Sequence, residues 1–267
     1  MKLTWQTHSA SSQIVALVLA LTFFVVGIPF FGGTSAIAQD ASKKPEQTKK
    51  APAKKKRVPN PAFQPPVVQE GLPNVLLIGD SISIGYMIPA RKQLQGIANV
   101  WRPPTNCGPS TTGLNAIDKW LGDRKWDVVH FNFGLHDLKY MGPNNENLAD
   151  PAAKTSHQQV PPDDYAANLT KIAKRLKETG ATVIWRETTP TPEGCKGRVP
   201  GDSKKYNEVA AKVMKEIGGI ETDAMFEFAL KHAEQRKANV HYSAAGSAKL
   251  AEQVARSVKA ALESRSK

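Results

Sequence analysis

The fold is decided by the stretch Asn74-Val75-Leu76-Leu77-Ile78-Gly79-Asp80-Ser81-Ile82-Ser83. Its first half is a short apolar run with β-branched residues, which is typical of a buried strand. It ends in Gly79-Asp80-Ser81, and a helix-like pattern follows from about Gly85. Such a strand-to-helix turn places the next side chain at the carboxyl edge of a sheet, where open α/β sheets bind ligands. Ser81 would lie there close to helix N–H groups, although Asp80 or Ser81 could equally serve only as a helix cap.

The same alternation of strands and helices continues through residues 71–267, which predicts a single α/β domain. The strand candidates are residues 75–78, 98–102, 128–133, 182–187 and 220–222. The helix candidates are residues 85–94, 114–120, 165–177, 204–217, 225–236 and 244–262. Strands that alternate with helices favour right-handed crossovers and a mainly parallel sheet covered by helices on both faces. Residues 142–162 are polar and rich in Asn and Pro, and they are predicted to form a long loop.

The first 38 residues are typical of an export signal. Lys2 precedes an apolar run over residues 14–31, and Ala36-Ile37-Ala38 follows as a small-x-small cleavage pattern. An uncleaved membrane anchor is the alternative, because the apolar run is near the lower length limit for a span. Under either interpretation the rest of the chain lies outside the cytoplasm, in the periplasm, at the cell surface or in the medium.

Residues 39–70 contain Lys, Pro, Ala and Gln with few large apolar side chains, and they are predicted to form a disordered linker. The run Lys54-Lys55-Lys56-Arg57 could make a weak contact with envelope polyanions, or it could be a solvated tether. Half of the formal net charge of +12 lies in residues 1–70, which hold nine basic and three acidic residues. The remainder is only mildly basic, so the charge does not predict a nucleic-acid partner.

Four polar clusters lie at predicted element ends. They are Gly79-Asp80-Ser81, Asn106-Cys107-Gly108-Pro109-Ser110-Thr111-Thr112-Gly113, Phe133-Gly134-Leu135-His136-Asp137 and Asn239-Val240-His241-Tyr242-Ser243. A serine hydroxyl becomes a nucleophile when a base such as a neutral imidazole is within hydrogen-bond reach. Ser81 and His241 are therefore the candidate pair, and N–H groups in the glycine turns could hold a developing oxyanion.

The clusters resemble, in order and context, the blocks of the SGNH/GDSL hydrolase superfamily. The resemblance spans residues 79–246 and implies a serine esterase with a flavodoxin-like three-layer α/β/α sandwich and a mainly parallel five-stranded sheet. It implies Ser81 as the nucleophile, His241 as the base, and Ser81 and Gly108 as backbone oxyanion donors, with Gly113 as the fallback for Gly108. The family's oxyanion asparagine is replaced by His136, a variant that is similar to a bacterial exported subgroup with Gly-Leu-His-Asp in its third block.

The sequence departs from the family pattern at two positions. His136 could donate to an oxyanion through a ring nitrogen, or it could only brace the turn after the third strand. Ala238 occupies the position of the family's aspartate, which normally orients the base. A backbone carbonyl could orient His241 instead, leaving a Ser-His dyad, or the carboxylate of Asp202 could reach in, although a cap before Lys204 also suits that residue. The third alternative is a degraded site that only binds.

The remaining polar residues are predicted to have structural roles. Asp80 and Asp137 are expected to brace turns, and His130 is expected to be a core histidine. Cys107 and Cys195 are the only cysteines of the chain, and an exported protein permits a disulfide between them. The pairing stays open, because strands two and four would not be neighbours. No metal-ligand spacing is present, so neither a metal nor another cofactor is predicted.

The sequence thus predicts an exported serine esterase for a short-chain ester, such as an O-acetyl group on a polysaccharide. Two alternatives stay open. One is a glycan-binding envelope protein that uses a catalytically degraded site. The other is an acyltransferase that passes the acyl group from Ser81 to a sugar instead of to water.

Overall fold

The apolar runs of the sequence form the strands of two sheets in a computed structural model, which describes residues 59–265. The strands are β1 (Asn74–Ile78), β2 (Asn99–Trp101), β3 (Val128–Phe131), β4 (Tyr140–Met141), β5 (His157–Gln158), β6 (Thr182–Arg186) and β7 (Glu221–Asp223). The predicted signal peptide and residues 39–58 of the predicted linker lie outside the described residues. Residues 59–70 of that linker are described and are not disordered, because Pro61–Phe63 form a 3-10 helix that packs against the helix Ser81–Gln93, with Ala62 buried.

The main sheet has five parallel strands in the order β2-β1-β3-β6-β7. Val75 pairs with Val128 and Ile78 with Phe131, so β1 and β3 run side by side at the centre. In sequence rank the order is the flavodoxin-like 2-1-3-4-5, which reverses direction between β1 and β3. A crevice for ligands forms at such a reversal, outside the carboxyl ends of the strands. The strands β4 and β5 form a separate antiparallel pair.

Helices cover the sheet in two packed groups. The helices are α1 (Ser81–Gln93), α2 (Ser110–Leu121), α3 (Pro162–Lys177), α4 (Asp202–Ile217), α5 (Met225–His232) and α6 (Ala244–Arg265). Helix α6 packs against α1 and α5, whereas α3 packs against α2 and α4. The predicted flavodoxin-like α/β/α sandwich with its parallel five-stranded sheet is confirmed. Among residues 59–265, no helix is both long and apolar enough to cross a membrane.

The core lies between the helices and both faces of the sheet. The apolar residues of β1, Val75 to Ile78, are at most 1% exposed, which explains why this strand is a continuous apolar run rather than an alternating one. Helix α3 buries a stripe at helical spacing, Leu169, Ile172, Ala173 and Leu176. Truncating a fully buried leucine in such a stripe costs roughly 2–5 kcal/mol of stability.

Several helix boundaries differ from the predicted ones, and two of them have a clear local reason. Helix α1 begins at Ser81 rather than at Gly85, because the Asp80 side chain caps it through a 2.9 Å hydrogen bond from the Ile82 N–H. Helix α5 ends at His232 rather than at residue 236, because Gln235 leaves the helix to form a β-bridge with Tyr242. The strand β5 also lies inside the segment that was predicted to be an irregular loop.

One polar pair lies within the core. The ring nitrogen Nε2 of His130 in β3 is 2.9 Å from Oδ2 of Asp223, at the end of β7, and both side chains are fully buried. Gln253 of α6 donates to the other carboxylate oxygen at 2.8 Å. Burial alone would raise the pKa of Asp223, but the hydrogen bond and charge of His130 outweigh it, so the pKa lies below its ordinary value. His130 is therefore a core histidine, as the sequence indicated.

Candidate active site

Ser81 lies at the carboxyl end of β1, at the position where the sheet order reverses. Gly79 and Asp80 make the turn, and Ser81 is the first residue of α1. The N–H of a first helical residue has no acceptor within its own helix, and the helix dipole makes this end partially positive. The turn therefore presents both a hydroxyl and an unused N–H donor to the same space.

His241 lies in the segment between α5 and α6 and contacts Ser81 directly. Its Nε2 is 2.9 Å from the Ser81 Oγ, although the two residues are 160 positions apart. The segment is held by the Arg236 N–H, which donates to the His241 carbonyl at 2.9 Å, and by the Gln235 amide, which donates to the Pro190 and Val240 carbonyls. The structure thus brings together the serine and the histidine that the sequence singled out.

The side chain of Asn239 is the partner of the second ring nitrogen of His241. Its Oδ1 accepts a 2.9 Å hydrogen bond from the His241 backbone N–H and lies 2.7 Å from Nδ1. A backbone N–H can only donate, so the atom that faces it must be the amide oxygen and not the amide nitrogen. The same oxygen then requires a proton on Nδ1, which leaves the lone pair of Nε2 for the Ser81 hydroxyl. Asn239 therefore fixes the tautomer that a general base needs.

Burial keeps His241 uncharged at neutral pH. Loss of hydration lowers its pKa below 6.5, and the nearby Arg198 and Arg236 lower it further, whereas the Asp80 carboxylate acts in the opposite direction. The net shift is downward. A neutral imidazole beside a serine hydroxyl can accept its proton, which is the first requirement of nucleophilic catalysis by serine.

The candidate oxyanion donors are arranged differently from the prediction at Gly108. Its N–H donates to the Asn106 Oδ1 at 3.0 Å, so this donor is already used inside the turn. The fallback, Gly113, lies within α2 and faces Phe133 and Ile172, away from Ser81. His136 does line the cleft around Ser81 and His241. Burial lowers its pKa too, so it is a neutral imidazole with an N–H to donate.

Asn106 also lines the cleft, although its sequence position did not indicate a role in the site. It lines the cleft beside Ser81, and its Oδ1 is held by the Gly108 N–H. That bond directs the amide so that its NH₂ group has no hydrogen-bond partner among the described residues. An asparagine two positions before a turn glycine is the signal that could have identified it, because such a side chain often closes an Asx turn.

Gly134 positions His136 through a close approach of the chain. A Cβ at residue 134 would overlap the hydroxyl of Thr188 at the end of β6, so only glycine fits. Asp137, in the same turn, is fully buried and accepts from the Ser110 N–H at 2.8 Å. Burial raises the pKa of Asp137 to about 7. This carboxyl group ties the turn after β3 to the start of α2, in agreement with the predicted bracing role.

Asp202 is not the orienting carboxylate. It lies in the first turn of α4, where it accepts from Gln158 Nε2 at 3.3 Å and pairs with Lys205 Nζ at 3.1 Å. The sequence-based hypothesis was wrong because α4 directs this side chain toward β5 rather than toward His241. The backbone-carbonyl alternative was also wrong, since Asn239 holds Nδ1. Ala238, at the family's aspartate position, has a φ of +49° in the left-handed region.

The two cysteines are free thiols, and both are buried. Cys107 lies beside Arg102, and Cys195 lies beside Arg198. The structure therefore does not contain the disulfide that the exported context permits. Within residues 59–265, no group of three or more His, Cys, Asp or Glu side chains is placed to hold a metal ion.

Comparisons with known proteins agree with this architecture. The family model described as GDSL-like lipase/acylhydrolase matches residues 88–254. The match starts after Ser81, so the position of the serine is known from the geometry and not from this match. No curated protein matches the chain.

Several solved structures have a similar fold. An acetyl xylan esterase matches with a TM-score of 0.55 and 14% identity over 69% of this chain and 99% of its own. A lipase/acylhydrolase from Enterococcus faecalis matches with a TM-score of 0.55 and 16% identity over 71% of this chain and 96% of its own. A psychrotrophic esterase from Pseudoalteromonas sp., inhibited by monoethylphosphonate, matches with a TM-score of 0.50 and 16% identity over 71% and 98%. At these identities the likeness establishes the fold alone.

Proposed function

Since the chain belongs to the GDSL-like lipase/acylhydrolase family and is an SGNH/GDSL-type hydrolase of ester bonds, we propose that it is an exported serine esterase. The proposed substrate is a short-chain ester, such as an O-acetyl group on a carbohydrate. The observation that carries the proposal is the 2.9 Å contact between Ser81 Oγ and His241 Nε2. With Asn239 on Nδ1, these residues form a Ser-His-Asn arrangement in place of either a bare dyad or a carboxylate triad.

The proposed reaction follows from the protonation states at this site. Ser81 attacks the ester carbonyl while His241 takes the hydroxyl proton on Nε2, and His241 then returns this proton to the leaving alcohol. Water then attacks the acyl group on Ser81 while His241 again takes a proton. This step releases the acid and restores the Ser81 hydroxyl. Asn239 holds the ring through both steps, but its neutral amide gives less stabilisation to the imidazolium than a carboxylate would.

We assign the oxyanion hole to three donors that face the cleft. They are the N–H of Ser81 at the positive end of α1, a ring N–H of His136, and the amide NH₂ of Asn106. Asn106 replaces Gly108, whose N–H is held by the Asn106 side chain. Gly108 contributes through its φ of +63°, which lets the turn close beside Ser81.

The shape of the surface supports a small acyl group on a carbohydrate. The cleft around Ser81 has a volume of about 370 Å³. A second groove of about 940 Å³ lies on the other side of Asn106, and its lining includes Trp101, Trp120 and Trp126. Trp101 and Trp120 are partly exposed there, and partly exposed aromatic side chains suit partly wet ligands such as sugar rings. One of the proteins with a similar fold is an acetyl xylan esterase, which is consistent with this choice.

Export is proposed from the sequence alone. Residues 1–38 have the order of a signal peptide, with Lys2, an apolar run and Ala36-Ile37-Ala38. Residues 39–58 would then form a linker, and the hydrolase domain would include residues 59–70, which pack against α1. Expression of the full chain with mass measurement of the mature N-terminus tests this part, because cleavage after Ala38 leaves Gln39 as the first residue.

Labelling with a fluorophosphonate tests the nucleophile. We expect the wild-type protein to gain one label on Ser81 and the Ser81→Ala variant to gain none, with Ser264→Ala, an exposed serine far along α6, as the matched control. Equal labelling of wild type and Ser81→Ala would show that Ser81 is not activated. Hydrolysis of 4-nitrophenyl acetate that is lost in Ser81→Ala would exclude the glycan-binding alternative. Acetylated glycan as the main product in the presence of added glycan would favour the acyltransferase.

A further inference from the structure

The cleft around Ser81 is lined by three basic side chains that we call the basic rim: Lys139, Lys196 and Arg198. They come from two turns at the same edge of the sheet, one after β3 and one after β6. Lys196 is exposed, whereas Lys139 and Arg198 are partly buried. All three residues therefore border the space in which the ester must bind.

None of the three pairs with an acid among the described residues. The ion pairs of residues 59–265 involve His130, Arg175, Lys205, Lys231, Lys249 and Arg265. Arg198 donates through Nε and Nη2 to the Leu135 carbonyl at 3.1 and 3.0 Å, and its side chain also contacts the Cys195 thiol. Partly buried cations without a carboxylate are costly, so their presence at a cleft indicates an anion that arrives with the ligand.

The balance of charge in the cleft is clearly positive. Asp80 is the only carboxylate of the described residues that lines it, and this side chain is 2% exposed and engaged in capping α1. His136 and His241 contribute no charge at neutral pH, because burial lowers the pKa of both. Three cations thus face one shielded anion, which leaves a net charge of about two positive units for the ligand.

We propose that the substrate is an anionic carbohydrate ester, and that the basic rim binds the acidic group of a sugar close to the ester bond that Ser81 attacks. An O-acetylated uronic acid residue of an acidic polysaccharide has this chemistry. A planar guanidinium suits a carboxylate, and the two lysines add charge without demanding a fixed geometry. This inference rests on the esterase function proposed above.

Two substrates of the same shape test the inference. The first is the O-acetylated methyl galactosiduronate, and the second is its uncharged C6 amide. For the full mature protein at low ionic strength we expect kcat/KM to be at least about tenfold higher for the acid, and we expect the preference to shrink as salt is added. The acetylated methyl galactoside 6-phosphate is a third arm, and a higher kcat/KM for it than for the uronate would show that the anion is a phosphate.

Variants of the rim assign the preference to these side chains. Arg198→Gln and Lys139→Gln are each expected to lower the acid-to-amide ratio toward one. Lys196→Gln, which removes an exposed side chain without a hydrogen-bond partner, keeps the test available if Arg198→Gln does not fold. Lys212→Gln, an exposed lysine of α4, makes the same change in net charge and is expected to leave the ratio unchanged.

The possible results separate this inference from the proposed function. Equal kcat/KM for acid and amide in the wild type, with 4-nitrophenyl acetate hydrolysed, would overturn the anionic substrate and leave the esterase in place. An acid preference that survives all three rim variants would overturn the assignment to the rim. Absence of hydrolysis of any of these esters would overturn both.

Discussion

Among residues 59–265, two histidines have a side-chain carboxylate or amide as hydrogen-bond partner, and they differ in both the partner and the surroundings. His130 lies in the core with the carboxylate of Asp223 at 2.9 Å. His241 lies at the cleft with the amide oxygen of Asn239 at 2.7 Å and the hydroxyl of Ser81 at 2.9 Å. The chain thus contains a His-Asp pair, but the serine lies beside the histidine that has an amide instead.

The difference shows what each partner can contribute. In the core, the charge of Asp223 is stabilised by His130 and by the Gln253 amide, so the pair couples β3, β7 and α6. At the cleft, Asn239 is exposed, and an exposed charge there would be weakened by water. An amide still fixes the tautomer and orientation of His241 without a charge. It also leaves the pKa of His241 low, which an adjacent carboxylate would raise.

The largest expected effect is the loss of activity when the cleft histidine, His241, is removed. His241→Ala removes the base, and we expect kcat/KM for 4-nitrophenyl acetate to fall by about 10³-fold or more. The melting temperature should change little, because the imidazole is only partly buried. His232→Ala, at the end of α5, is the matched control. Retention of most of the activity in His241→Ala would contradict the proposed mechanism.

For the core pair of His130 and Asp223, we expect a loss of stability without a loss of activity. Asp223→Ala leaves the buried imidazole of His130 and the Gln253 amide without an acceptor, which should lower the free energy of unfolding by ~3 kcal/mol. Urea unfolding measures this loss, and active-site titration should show normal turnover per folded molecule. Asp118→Ala, which removes an exposed ion pair with Arg175, is expected to cost at most about 0.5 kcal/mol. Equal effects of the two changes would show that burial of the pair is unimportant.

Substitutions of Asn239 test the contribution of the amide. Asn239→Ala leaves the His241 tautomer free, and we expect kcat/KM to fall by roughly 10- to 100-fold. Asn239→Asp keeps the acceptor and adds a negative charge, which favours imidazolium and raises the pKa of His241. The acid limb of its pH–rate profile should therefore lie at higher pH than that of the wild type. Wild-type activity in Asn239→Ala would show that this side chain does not position the base.

The smallest effect concerns the wild-type protein in mild acid. The pKa of His241 lies below 6.5, so kcat/KM should decline only when the pH falls through a value under 6.5. The pKa of Asp223 is depressed below 3.8, so its contribution to stability is complete above pH 3.8 and is lost only at lower pH. Activity should thus disappear reversibly while circular dichroism still reports a folded protein. Simultaneous loss of both signals would contradict this separation.

The succession of strands and helices and the pairing of Ser81 with His241 could be predicted from the sequence because they depend on patterns. An apolar run before Gly79-Asp80-Ser81 specifies a strand end, and motif spacing indicated Ser81 and His241. The strand order in the sheet and the role of His136 were instead implied by the resemblance to the SGNH/GDSL hydrolases. The roles of Asn106, Asn239 and Asp202 could not be predicted, because each depends on where one side chain points. Local backbone angles let the Asn106 side chain accept from the Gly108 N–H, and they set the direction of α4, which turns Asp202 away from the site. Such angles leave no periodic signal in the sequence.

The left-handed backbone at Ala238 affects how the hydrogen-bond acceptor of His241 Nδ1 could change during evolution. A side chain at 238 would have to extend from a φ of +49° near the Gly194 turn, where its Cβ already lies 3.2 Å from the place of a Gly194 Cβ. A carboxylate acceptor for Nδ1 therefore needs one substitution at 239, where the side chain already contacts the ring, whereas an aspartate at 238 would have to pack its side chain beside the Gly194 turn.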